Sequence, residues 1–173
     1  MNAAKQHPRT ASEVPRPSKS ERILVQDDEE TIREIISSML VGVHYECRAV
    51  ASPKEVLDIL RSGEQFDLVV CGLLETGEKF FKRMSKQFPN IPVIVLSACH
   101  DLQLFLSALR DGAYDYLMKP FDREQLIFAV RRALEYRRLK LENREYKVRL
   151  ERLAKKKSAV SRTRRYSRQG APE

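Results

Sequence analysis

Residues 22–41 read RILVQDDEETIREIISSMLV, a short apolar run that stops on two carboxylates and is followed by apolar residues at helical spacing. Ile23, Leu24 and Val25 are consecutive rather than alternating, as in a strand buried on both faces. Ile32, Ile35, Ile36, Met39 and Leu40 recur at intervals of three and four, which predicts a helix over 29–41. The same strand-then-helix unit repeats downstream. Residues 45–50 suit a second strand, after which Ser52, Pro53 and Glu55 supply an N-cap, a first-turn proline and a capping-box partner for a helix over 53–62 closed by Gly63. Strands are expected at 67–71, 92–97 and 114–118, and helices at 78–87 and at 101–111, the latter ended by Gly112. A last helix begins near Asp122 or Arg123. Five apolar strands alternating with five helices predict a doubly wound α/β fold around a parallel sheet covered on both faces.

In such sheets ligands gather at the carboxyl ends of the strands, beside the switch in strand order. The polar residues at those ends are Asp27, Asp28, Ser97 and Lys119. The segments that carry them, ILVQDDEE at 23–30, FDLVV at 66–70, IPVIVLSA at 91–98 and GAYDYLMKPF at 112–121, together resemble the receiver domain of bacterial two-component response regulators over about residues 22–135. The resemblance implies a flavodoxin-like sheet of order 2-1-3-4-5. It also implies that Asp27 and Asp28 match an acidic pair that binds Mg²⁺, that Ser97 and Lys119 match residues contacting a phosphoryl group, that Tyr116 matches a switching aromatic, and that Lys119-Pro120 matches a cis peptide.

The match fails at the nucleophile. Where the family has an aspartate ending its third strand, this chain reads Asp67-Leu68-Val69-Val70-Cys71-Gly72, with glycine in that place. The loop that follows is also about three residues short, since Gly77 comes five residues after Gly72. Aspartyl phosphorylation needs a carboxylate placed for attack and a cation to offset the accumulated negative charge, and here the attacking group is absent. Weak Mg²⁺ binding by Asp27 and Asp28 is the most that is expected, with no cofactor required. Lys119, freed of a phosphoryl role, is expected to pair with Asp28 or Asp27. Cys71 and Cys99 fall near the same edge, either as redox groups or, in keeping with the preference of free cysteine for burial, as small core residues. Glu75 or Ser97 as a substitute phosphoacceptor requires an unusual geometry in the shortened loop.

The 173 residues carry 32 Lys and Arg against 24 Asp and Glu, and the surplus sits at the ends. Residues 1–20 hold four cations and one acid, and 154–173 hold seven cations and one acid, whereas 21–121 is acidic. Residues 1–20 and 154–173 are expected to be disordered basic tails flanking the receiver-like domain at 21–135. No apolar stretch reaches the length of a membrane span, and the first twenty residues lack the hydrophobic run of a secretory signal. Three scattered cysteines form neither a closed disulfide set nor C-x-x-C metal pairs, which fits a cytoplasmic setting.

The last helix meets no Pro or Gly until Gly170, far beyond the length needed to cover the sheet. In its overhang, 136–153, Tyr136, Leu139, Asn143, Tyr146, Leu150 and Leu153 follow the a/d spacing of a coiled coil, with Glu135 and Glu142 at g and Lys140 and Lys147 at e. A homodimer through this seam is expected. A second stripe, Leu134, Leu141 and Val148, lies on another face and can dock on a partner or on the domain itself. The chain is thus expected to be a non-enzymatic, phosphorylation-independent dimerising adaptor in a phosphorelay pathway, a pseudo-receiver serving a histidine kinase, another regulator or an output protein. The alternative is sequence-neutral nucleic-acid or polyanion binding through the basic segment 155–168.

Overall fold

The computed structural model describes residues 20–72, 77–98 and 102–168, the side chains of 77, 78, 102, 104, 105 and 158–168 excepted. The elements alternate as the apolar runs require: β1 (Arg22–Gln26), α1 (Glu30–Val41), β2 (Glu46–Val50), α2 (Pro53–Arg61), β3 (Leu68–Gly72), α3 (Gly77–Gln87), β4 (Val93–Ser97), α4 (Leu102–Arg110), β5 (Asp115–Met118) and α5 (Arg123–Arg168). All four strand pairings are parallel and the order is β2-β1-β3-β4-β5.

The consecutive apolar residues of the strands point alternately to two cores, which is why their sequence does not alternate with polar residues. Leu24, Val69, Cys71 and Val95 pack beneath Val56 and Leu60 of α2 and Phe80, Phe81 and Met84 of α3. Ile23, Val25, Leu68, Val70, Ile94 and Leu96 face Ile36 and Leu40 of α1 and Leu126, Val130 and Ala133 of α5. Helix α2 starts as its sequence predicts, with Ser52 accepting from the Glu55 N–H and the Glu55 carboxylate accepting from the Ser52 N–H. Gly112, at φ 110°, lets the α4–β5 turn approach α3, where a Cβ would lie 2.7 Å from that of Ser85.

The last buried side chain of α5 among the described residues is Leu134. The next turn is still held to the domain. The Tyr136 ring lies 4.9 Å from that of Tyr114, Arg137 Nη1 is 2.9 Å from Asp67 Oδ1, and Lys140 Nζ donates to the Pro89 carbonyl at 2.7 Å. Of the second stripe, Leu134 joins the domain core, whereas Val148 is exposed on the overhang. The seam residues Leu139, Tyr146, Leu150 and Leu153 are all exposed, and Tyr136 is half-exposed despite its contact with Tyr114.

Helix α5 continues past Leu153 to Arg168. Residues 154–168 contain no proline or glycine to stop propagation, and extending an existing helix costs far less than nucleating one. The basic segment at 1–19 lies outside the described residues, as do Glu75 and Cys99.

Candidate functional site

The parallel register brings the ends of β1, β3 and β4 together. Gln26 pairs with Cys71, so Asp27 leaves β1 level with Gly72, and Ser97 pairs with Met118, which brings Lys119 in from the next strand. Asp27 is 1% exposed. Its Oδ2 lies 2.7 Å from Lys119 Nζ, its Oδ1 accepts from the Glu29 N–H at 3.1 Å, and its own N–H reaches the Val50 carbonyl at 3.3 Å. Lys119 donates its backbone N–H to the Ser97 carbonyl at 2.7 Å and precedes a cis peptide to Pro120. Asp28 is exposed, Ser97 is buried, and Tyr116 is half-buried against the α2–α3 core.

Gly72 decides what this arrangement can do. A Cβ built on it would stand 2.5 Å from Asp27 Oδ2 and 3.0 Å from Asp27 Cγ, so the Asp27 carboxylate lies within the volume that a side chain at residue 72 would take. The edge therefore holds a carboxylate paired with Lys119, but that carboxylate hangs from β1. Both of its oxygens are committed, and among the described residues no group of three or more His, Cys, Asp or Glu is placed to hold a metal ion. Mg²⁺ takes near-octahedral oxygen ligation and gives up its waters reluctantly. The donors present are one buried carboxylate whose two oxygens are already engaged and one exposed carboxylate.

The response regulator receiver domain model matches residues 23–131. The chain belongs to this family. An NtrX-like response regulator of Rickettsia bellii is 33% identical over 129 residues, covering 72% of this chain and 27% of that relative. The crystal structure of NtrX from Brucella abortus in complex with ADP superposes with a TM-score of 0.69 at 31% identity, covering 73% of this chain and 29% of that one. The signal receiver domain of an HD domain-containing protein from Pseudomonas fluorescens Pf-5 gives a TM-score of 0.64 at 30% identity, covering 69% of this chain and 98% of that one. The chain thus spans about a quarter of the length of the curated relatives it matches. As a receiver it is a signalling module of two-component systems, and no helix among the described residues is long and apolar enough to cross a membrane.

The receiver also settles the place of two thiols. Cys71 is fully enclosed in the α2–α3 core, where burial first, and the nearby Asp27 carboxylate second, push its thiol well above the usual range. Cys47 on β2 is raised to about 11 by burial. The thiolate is the reactive form, and burial disfavours it at both cysteines. Cys71 is expected to resist alkylation by iodoacetamide at pH 8 in the native receiver and to react once urea unfolds it, as peptide mapping will show; rapid native alkylation of Cys71 would contradict this packing.

Arg33 belongs to the site and was missed in the sequence. Its guanidinium donates to the carbonyls of Asp27 and Asp28 at 2.8 and 3.0 Å and fixes the turn that carries both acids. One turn into α1, Arg33 looks like any exposed helical cation, and only the tight β1–α1 turn makes it a clamp. Arg137 was equally inconspicuous, although its pairing with Asp67 anchors the overhang at the opposite end of the sheet.

Proposed function

We propose that the chain is a cytoplasmic, phosphorylation-independent adaptor of a two-component pathway, dimeric through its α5 overhang. The observation that carries this reading is the Asp27 carboxylate filling the space beside Gly72 and pairing with Lys119. A receiver so arranged has no acceptor carboxylate on β3, and its lysine already has an anionic partner. Mg²⁺ binds weakly at most and is not required. The surfaces of the domain remain available to a histidine kinase, another regulator or an output protein.

Support for the dimer comes from the overhang. Tyr146 and Leu150 are each 65% exposed, and Leu139 and Leu153 lie on the same seam. Apolar residues repeating every three and four positions gain stability when a second helix covers them. Asn143 at an a position favours two strands in a fixed register at some cost in stability. In sedimentation velocity, the full chain is expected to run as a dimer whose mass is unchanged by Mg²⁺ and acetyl phosphate, and intact-mass spectrometry of the same sample should show no added phosphoryl group. A gain of one phosphoryl group, or a dimer that forms only with the phosphodonor, would sink the reading.

A second reading, polyanion binding, is favoured by the continuity of α5. Lys155, Lys156 and Lys157 are exposed on a helix that runs on to Arg168, and no acidic residue occurs between Glu151 and Glu173. Such a segment would bind duplex DNA without sequence preference, with an affinity that falls steeply as salt releases the counterion advantage. Deleting 154–173 should abolish that binding and leave the dimer intact.

A further inference from the structure

A groove of about 500 Å³ runs between the α3–β4 turn and the overhang, with Asn90 as one wall and Tyr136, Leu139, Lys140, Asn143 and Lys147 as the other, Arg144 completing its rim. Its helical lining consists of a and d seam positions and the e flank, with Arg144 at a b position, and neither g residue lines it. Its three cations, Lys140, Arg144 and Lys147, surround a floor made apolar by Tyr136 and Leu139. Lys140 is already held by the Pro89 carbonyl, and an ammonium group has two further protons to donate.

We infer that this groove receives the overhang of a second copy, lying parallel, so that the partner helix touches the receiver at Asn90 as well as the α5 seam. The inference rests on the dimer proposed above and specifies its direction and its contact with the domain. The argument is one of charge. In a parallel pair each e position faces a g position of the other helix, which sets Lys140 and Lys147 against the second copy's Glu135 and Glu142. An antiparallel pair would oppose lysine to lysine and glutamate to glutamate, and like charges so placed are destabilising. Among the described residues of one chain those glutamates reach Arg138, at 3.7 and 4.0 Å and in the open, so they can turn towards a partner at little loss. The groove sits on the flank where they would arrive. Because the Asn90 turn forms its outer wall, the contact between copies includes the receiver body, and a change in the position of that turn would be felt directly by the partner helix.

The test uses the full chain with the photo-crosslinker p-benzoylphenylalanine at Asn90, mixed with an isotopically heavy copy, and the same crosslinker at Leu150 as the reference for the seam. Light-to-heavy crosslinks from Asn90 to peptides containing residues 135–147 are expected. If Leu150 links the copies and Asn90 links only within its own chain, the groove inference fails and the dimer stands. If neither links the copies, the dimer reading fails and the inference with it. A charge swap checks direction: Lys147→Glu should weaken self-association about tenfold, and mixing it with Glu142→Lys should restore pairing. Failure of the mixture to pair better than either variant alone would overturn the parallel arrangement.

Discussion

Lys119→Met is expected to remove about 3 kcal/mol or more of the receiver's stability, read as a fall in the urea midpoint at pH 7. Methionine keeps most of the lysine stem and its packing, so the change isolates the charge. What remains is Asp27, 1% exposed, with one oxygen still accepting from the Glu29 N–H and the other facing Gly72 with no cation. Removing one partner of a buried pair leaves an uncompensated charge, a loss larger than the net contribution of the intact pair. Lys119 is itself 21% exposed, so solvent can soften the effect and the lower end of the usual range is the better expectation. Asp27→Asn combined with Lys119→Met should recover much of the loss, since the amide can still accept from Glu29 and leaves no charge behind. A loss below about 1 kcal/mol for Lys119→Met would mean that the Asp27 carboxylate is solvated and not held as described.

The fold was legible because its signals are redundant. Strands β1, β3 and β4 are apolar runs, the helices between strands are periodic, and Ser52-Pro53-Lys54-Glu55 and Gly63 mark the ends of α2 as they do in the structure. That residue 72 is a glycine was equally plain, since a missing side chain needs no geometry to be noticed. The sequence left two partners open for Lys119, and the structure selects Asp27, whose carboxylate lies beside Gly72. Asp28, one residue on, turns out to solvent. The a/d pattern of the overhang was visible as spacing, but the contacts that tie its first turn to the domain, Tyr136 on Tyr114 and Lys140 on Pro89, are long-range and leave no periodic trace. Arg33 and Arg137 were invisible for the same reason: what singles out each arginine is the carbonyl or carboxylate it meets.

Restoring a side chain at residue 72 should have the opposite chemistry from removing Lys119 and a comparable effect on stability. Gly72→Ala adds only a methyl group, but that methyl arrives 2.5 Å from Asp27 Oδ2 and 3.0 Å from Cγ, so the carboxylate must leave its place beside Lys119. A loss of about 1–3 kcal/mol is expected from overpacking, with the broken pair adding to it. Gly72→Asp imposes the same displacement and adds a second carboxylate facing one lysine, so in chelator it should be at least as unstable as the alanine variant. The same substitution sets its new carboxylate beside those of Asp27 and Asp28, a set of three at one strand edge that a divalent cation can satisfy where the parent's two cannot. Mg²⁺ at ten times its dissociation constant should therefore return about 1.4 kcal/mol to Gly72→Asp, while the parent and Gly72→Ala show no Mg²⁺-dependent change in thermal midpoint. Acetyl phosphate should then add mass to the aspartate variant alone. If Gly72→Asp is instead as stable as the parent in chelator and indifferent to Mg²⁺, the Asp27 carboxylate does not occupy the space beside Gly72.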